Sequence, residues 1–74
     1  MKTCTIQSET TGTVWKVVTS VGATVAEHQD LVILETMKME IPAVSPVRGT
    51  VREVLVKEGD LVEEGQALVI LERS

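Results

Sequence analysis

The chain has 74 residues and a net charge of −4 at neutral pH, with no Phe or Tyr, one Trp and a single Cys. A chain of this length makes one domain, residues 1–74, with a small core and no volume for a deep substrate pocket. The charge and the shortage of aromatic side chains argue against nucleic-acid binding, no apolar run approaches the ~20 residues of a membrane span, and a lone Cys forms no internal disulfide. We therefore expect a cytoplasmic protein that does not associate with membranes.

The sequence predicts β-strands throughout. Because the core must be built from Val, Leu and Ile, strands are favoured over helices, and no stretch has a convincing helical period. The predicted strands, in chain order, are Cys4–Gln7, Gly12–Thr19, a short segment at Val25, Leu31–Thr36, Ile41–Val44, Gly49–Val56, a short segment at Val62, and Ala67–Glu72. Gly22 and Gly59 predict turns in which glycine supplies a positive φ, and Pro42 predicts an edge strand or a strand start.

The second half of the sequence repeats the first. Gly12-Thr13-Val14 aligns with Gly49-Thr50-Val51, an offset of 37 residues, and at the same offset Leu31–Glu35 aligns with Leu68–Glu72. Two copies are too few for a solenoid. They indicate a closed domain with a pseudo-twofold axis, in which each half covers the apolar face of the other.

The second strand of each repeat departs from strict alternation. Val14 and Val17 lie three positions apart rather than two, as do their counterparts in the second repeat, which predicts a β-bulge or a strand that changes sheets. Trp15 aligns with Arg52 across the repeat. A position that accepts both side chains is expected to be partly exposed.

A lysine between two methionines, Met37-Lys38-Met39, lies at the centre of the chain, between two predicted strands. The repeat aligns Met37 with Ser74, so the counterpart of Lys38 lies beyond the last residue. The symmetry therefore predicts that Lys38 and the termini occupy opposite poles. An exposed amine on a tight turn is suited to covalent modification, which points to a carrier rather than a catalyst.

The stretch Glu35-Thr36-Met37-Lys38-Met39-Glu40 resembles the biotinyl-lysine motif of biotin carboxyl carrier domains, in which Ala usually occupies the position of Thr36. The resemblance extends to the two Gly-Thr-Val strand starts and to the Gly59-Asp60 turn. It implies an all-β fold, a flattened barrel-sandwich of two quasi-symmetric four-stranded halves, with Lys38 on a hairpin turn. The Ala-Pro-rich linker of multidomain carriers is missing, and so is the thumb-like insertion between Val17 and Val25.

The resemblance also implies a chemistry. A biotin protein ligase presents biotinyl-adenylate, the Lys38 amine attacks its acyl carbon, and AMP leaves. A biotin carboxylase then carboxylates the biotin, and a carboxyltransferase delivers the carboxylate to an acceptor. In this interpretation Lys38 bears the cofactor, while Met37, Met39, Glu35 and Glu40 are recognised by the ligase. No residue of the chain is expected to act as a catalytic base, so the domain is a substrate of the ligase and not an enzyme.

Three alternatives remain at this stage. Lipoyl domains share the fold, so the first alternative is a lipoyl carrier modified by a lipoate ligase, or a domain that accepts both biotin and lipoate. Lipoyl domains usually have Asp before the lysine, and Met37 and Met39 favour biotin as the main modification. An unmodified adaptor domain is the second alternative. An enzyme that uses Lys38 for a Schiff base is the third, and it needs a desolvated lysine. Elsewhere, Cys4 is predicted to be a buried inert thiol, and His28 a turn residue without a metal.

Overall fold

A computed structural model describes residues 2–74, which form eight β-strands. The strands are β1 Thr3–Gln7, β2 Gly12–Val17, β3 Thr24–Val25, β4 Asp30–Thr36, β5 Met39–Val44, β6 Gly49–Val54, β7 Leu61–Val62 and β8 Ala67–Arg73. Every predicted strand is present, but β2 and β6 each end two residues earlier than predicted, because the chain leaves the sheet there on its way to the glycine turns. The described part of the chain contains no helix that is long and apolar enough to cross a membrane.

The strands form two antiparallel sheets of four strands. The first, sheet A, has the order β1-β8-β6-β3, and the second, sheet B, has the order β5-β4-β2-β7. Each repeat therefore supplies the two central strands of one sheet and both edge strands of the other. The two repeats are therefore interleaved rather than stacked, and each of the two sheets that pack face to face contains strands from both repeats. Pro42 lies in β5, an edge strand, as predicted.

The predicted bulges are present at equivalent points of the two sheets. In β2 the register with β4 shifts between Val14 and Lys16, leaving Trp15 as the extra residue. In β6 the register with β8 shifts between Val51 and Glu53, leaving Arg52 as the extra residue. Trp15 is 42% exposed, which confirms the prediction from the repeat.

The core is built from residues that occur in pairs across the repeat. Their side chains are at most 1% exposed, and burying a Val or Leu contributes roughly 1.5–3 kcal/mol to folding. The pairs are Val14 and Val51, Val25 and Val62, Leu31 and Leu68, Val32 and Val69, and Leu34 and Leu71. The two remaining core residues, Ile6 and Val56, have Ala43 and Thr19 as counterparts, so the core is duplicated at all but these two positions.

The molecule is 36 Å long and 17 Å across. At one end of the β4–β5 hairpin, Thr36 pairs with Met39, which brackets Lys38. At the other end, the Ser45 amide donates to the carbonyl of Gln29, and the following segment reaches Arg48, whose carbonyl accepts from the amide of Ser74. Ser74 thus lies beyond the end of the hairpin that is remote from Lys38, as the symmetry predicts; Met1 lies outside the described residues.

Candidate functional site

Lys38 lies at the tip of a two-residue hairpin turn. Thr36 at the end of β4 pairs with Met39 at the start of β5, so Met37 and Lys38 alone connect the strands. Their φ angles are 48° and 65°. A positive φ at both central positions is the signature of a type I′ turn, whose twist matches that of the flanking strands. The turn is therefore as short as an antiparallel connection allows, and it holds the lysine backbone in one conformation.

The turn adopts this conformation with residues that disfavour it. Type I′ turns are dominated by Asn and Gly, and a left-handed backbone costs an ordinary L-residue about 1–2 kcal/mol. Among residues 2–74 only three non-glycine residues have a positive φ, and two of them are Met37 and Lys38. Strain of this kind persists where a side chain is needed for a purpose other than stability.

The side chains of the turn point into solvent. Lys38 is exposed, Met37 is 91% exposed and Met39 is 62% exposed. Within the described residues no carboxylate lies within 4.0 Å of the Lys38 Nζ atom. The amine is thus unpaired and accessible. Both methionines, rather than one, are outside the core, so core filling does not explain them.

Two glutamates lie side by side behind the turn. Glu35 in β4 is directly opposite Glu40 in β5, and both are exposed. Like charges directly opposite each other destabilise a sheet. In the equivalent row of sheet A, Glu72 is opposite Thr3, so the second carboxylate is specific to the lysine end. Thr3 at the equivalent position shows that the fold does not require a carboxylate there, whereas Glu35, with its counterpart Glu72, fits a structural role as well.

Gly12 supports the turn from the neighbouring strand, which the sequence did not reveal. A Cβ atom on Gly12 would lie 2.7 Å from the carbonyl oxygen of Glu35 and 3.3 Å from the Cβ atom of Thr36. Only glycine lets β2 approach the end of β4 this closely. The repetition of Gly12 as Gly49, at a strand start rather than in a turn, was the available signal: a Cβ atom on Gly49 would lie 2.4 Å from the carbonyl oxygen of Glu72.

The remaining residues singled out in the sequence lie away from the turn. Cys4 is only partly buried, so the prediction of a buried thiol is wrong. Cys4 packs against the core but stays partly exposed because it lies on β1, an edge strand. His28 is an exposed turn residue with a φ of 71°, and its Nε2 atom is 3.7 Å from a carboxylate oxygen of Glu27. No group of three potential metal ligands is found among the described residues.

Residues 2–71 match the model of the biotin/lipoyl family, which is described as "Biotin-requiring enzyme". The chain belongs to this family. None of the curated proteins compared with it matches. Solved structures contain closely similar regions, and 97% of this biotin/lipoyl chain is covered by each of two of them.

One is the urea carboxylase of Kluyveromyces lactis, with 33% sequence identity and a TM-score of 0.92. The other is a single-chain, multi-domain long-chain acyl-CoA carboxylase, with 30% identity and the same TM-score of 0.92. The chain spans only 6% of the first protein and 7% of the second. These likenesses confirm the all-β fold and the family predicted from the Met-Lys-Met motif.

Proposed function

We propose that this domain is a cofactor carrier, that biotin protein ligase attaches biotin to Lys38, and that the biotin then carries a carboxyl group between a biotin carboxylase and a carboxyltransferase. The observation that carries the proposal is the unpaired Lys38 amine at the tip of a strained two-residue turn. Membership of the biotin/lipoyl family and the likeness to two carboxylases support the same function.

The attachment step needs little from this chain beyond the amine. The Nζ atom of Lys38 attacks the acyl carbon of biotinyl-adenylate, the bond from that carbon to the phosphate oxygen breaks, AMP leaves and an amide forms. Formation of the amide also requires that Nζ loses protons, which a general base accepts. No carboxylate of the described chain lies within 4.0 Å of Nζ, so in this proposal the ligase supplies that base.

The surroundings of Lys38 suit a carrier better than a catalyst. A lysine that forms a Schiff base is activated by desolvation in an apolar pocket. Lys38 has the opposite environment, since it is exposed on a turn between two exposed methionines. This geometry keeps the attached group mobile and away from the domain surface, which a carrier that visits two enzymes requires.

In this proposal, the ligase recognises four residues near Lys38. Met37 and Met39 present flexible, polarisable thioethers that adapt to an apolar surface. Glu35 and Glu40 place two carboxylates one row behind the turn. All four side chains are exposed, so packing in the core does not account for them. The pairing of Glu40 with Glu35 is also unfavourable for the sheet.

Intact-mass spectrometry after co-expression with biotin protein ligase tests the proposal. The wild-type chain is expected to gain the mass of one biotinyl group, and Lys38→Arg, which keeps the charge, is expected to gain none. Lys57→Arg removes a different exposed lysine in a turn and should gain the full increment. Incubation of each product with biotin carboxylase, ATP and labelled bicarbonate should then transfer label to the wild type and to Lys57→Arg, but not to Lys38→Arg.

Parallel co-expression with a lipoate ligase separates the two cofactors. Because the turn geometry serves either group, we expect the choice to depend on Met37 and Met39, so biotin should be attached to a much larger fraction of the chains. A lipoyl increment without a biotinyl one would make the domain a lipoyl carrier. Unmodified Lys38 with both ligases would contradict the carrier function and favour an adaptor domain.

A further inference from the structure

The internal repeat allows each surface residue of one sheet to be compared with the residue at the equivalent position of the other sheet. Because sheet A and sheet B have equivalent strands, each residue on the outer face of sheet B has a counterpart on the outer face of sheet A. We call the outer face of sheet B the lysine-side face. Besides Thr13 and Lys16, the residues that define it are Trp15, Ile33, Glu35, Glu40, Pro42 and Leu61. Their counterparts are Arg52, Ile70, Glu72, Thr3, Thr5 and Thr24.

The strand registers place these residues in two adjoining rows. In the row next to the turn, Leu61 pairs with Thr13, Thr13 with Glu35, and Glu35 with Glu40. The row behind it contains Ile33 paired with Pro42. Trp15, in the bulge of β2, lies beside Lys16, which pairs with Ile33. The lysine-side face therefore begins directly behind the Lys38 turn.

The lysine-side face is more apolar than its counterpart at three positions. Leu61 replaces Thr24, Trp15 replaces Arg52 and Pro42 replaces Thr5. Leu61 is 81% exposed although the next residue, Val62, is 1% exposed, so the fold places Leu61 outward and gains nothing from its side chain. Burying such a leucine against a partner is worth roughly 1.5–3 kcal/mol. The threonine of the other sheet shows that the same backbone position accepts a polar residue.

We propose that the lysine-side face is the docking surface for biotin protein ligase, and that the ligase covers Leu61 and Trp15 with an apolar surface and meets Glu35 and Glu40 with basic side chains. This inference rests on the proposed function. A ligase that holds an anionic acyl-adenylate needs Lys or Arg close to its active site. The two adjacent carboxylates behind the Lys38 turn are complementary to such a positively charged rim.

The reach of the lysine explains why the ligase, rather than an enzyme that acts on the attached biotin, needs this face. The bare amine extends only four methylenes from the backbone, so the active site of the ligase must come into contact with the turn itself. Adjacent strands are about 4.8 Å apart, which places Leu61 about 10 Å from Glu35. That distance lies well within an interface of about 800 Å² per partner. An enzyme that acts on the far end of the biotinyl arm can stay clear of the face.

A second copy of the chain fits the face less well. An interface between identical copies is self-complementary, so it would place Glu35 and Glu40 of both copies, four carboxylates in all, in the same interface. Two Lys16 side chains would then have to compensate four carboxylates, and each Lys16 Nζ atom already lies 5.0 Å from the centre of its own Trp15 ring.

The test exchanges residues across the repeat, so that each new side chain is one the fold already accepts. In the double variant Trp15→Arg, Leu61→Thr, each position receives the residue of its counterpart. With purified biotin protein ligase, biotin and ATP, this variant is expected to raise KM at least tenfold with kcat unchanged. The control variant Arg52→Trp, Thr24→Leu makes the opposite exchange on sheet A and should leave both constants at their wild-type values. Thermal unfolding of each variant checks that it is folded.

A second readout does not depend on modification. Titration of ¹⁵N-labelled Lys38→Arg with the ligase should broaden the amide signals of Leu61, Lys16 and Ile33, and leave those of Thr24 and Ile70 sharp. A wild-type KM for the double variant, or broadening confined to the turn, would overturn the docking surface while leaving the carrier function intact. Failure of the wild-type chain to be biotinylated would refute the attachment of biotin to Lys38 instead, and the titration would then decide the docking surface by itself. Concentration-dependent dimers of the wild type that the double variant abolishes would assign the face to a second copy.

Discussion

Replacing Met37-Lys38 by Asn-Gly should make the domain more stable, because it relieves the strain of the turn. Both residues have a left-handed backbone, with φ angles of 48° and 65°. This conformation costs an ordinary residue about 1–2 kcal/mol, whereas Asn and Gly are the residues preferred in a type I′ turn. The Met37 side chain is 91% exposed, so its loss removes almost no packing.

The expected gain follows from these terms. Relief of the strain at two positions is partly offset by the greater freedom that glycine gives the unfolded chain, roughly 0.5–1 kcal/mol. A net gain of about 1–3 kcal/mol in the free energy of unfolding remains. Each kcal/mol raises Tm by about 4–8 °C in a domain of this size. Urea denaturation followed by circular dichroism measures it, with an unchanged m-value as the sign that the denatured state is the same.

A matched control isolates the backbone term. Met37→Ala also removes the exposed side chain but keeps a residue that disfavours a positive φ, so its stability should stay within about 0.5 kcal/mol of the wild type. If the Asn-Gly variant were no more stable than the wild type, the turn would not be strained, and the argument that the lysine is retained at the expense of stability would fail.

His28 has a φ of 71°, and its counterpart Gly65 has a φ of 88°. His28→Gly should therefore stabilise the domain by about 0.5–1 kcal/mol, and Gly65→His should destabilise it by a similar or larger amount. Thermal unfolding measures both effects, and effects of the same sign would contradict the prediction. Gly12→Ala and Gly49→Ala each force a Cβ atom against a carbonyl oxygen, at 2.7 Å and 2.4 Å respectively, and should each cost about 1–3 kcal/mol in urea denaturation. Only Gly12→Ala displaces the strand end beneath Lys38, so it alone should slow biotinylation of the folded protein; equal rates for the two variants would show that the turn does not depend on this contact.

The repeat made most of the fold predictable from the sequence. Alternating Val, Leu and Ile marked the strands, and the three-residue spacing of Val14 and Val17 marked the bulge that the structure has at Trp15. The paired glycines at 22 and 59 marked turns, and their φ angles are 91° and 94°. These signals are local, since each depends on the period or the backbone freedom of a few neighbouring residues.

The arrangement of the strands into sheets was beyond the reach of these signals. Each sheet contains strands from both repeats, and two identical apolar patterns do not show which strands become neighbours. The close contact of Gly12 with the end of β4 and the position of Leu61 beside Thr13 also depend on strand pairing, so the sequence did not reveal them. For Lys38 the sequence predicted the turn, but not the left-handed backbone that holds it.

The interleaving of the repeats also determines the order in which the surroundings of Lys38 are completed during protein synthesis. Strands β1 and β3 of the first repeat are the two outer strands of sheet A, and each is paired only with a strand of the second repeat, β1 with β8 and β3 with β6. The ribosome therefore releases Lys38 well before the sheet that packs behind it can close. In the proposed function, a ligase that contacts Leu61 as well as the Lys38 turn meets its complete docking surface only after β7, which is synthesised later than the turn, has joined sheet B.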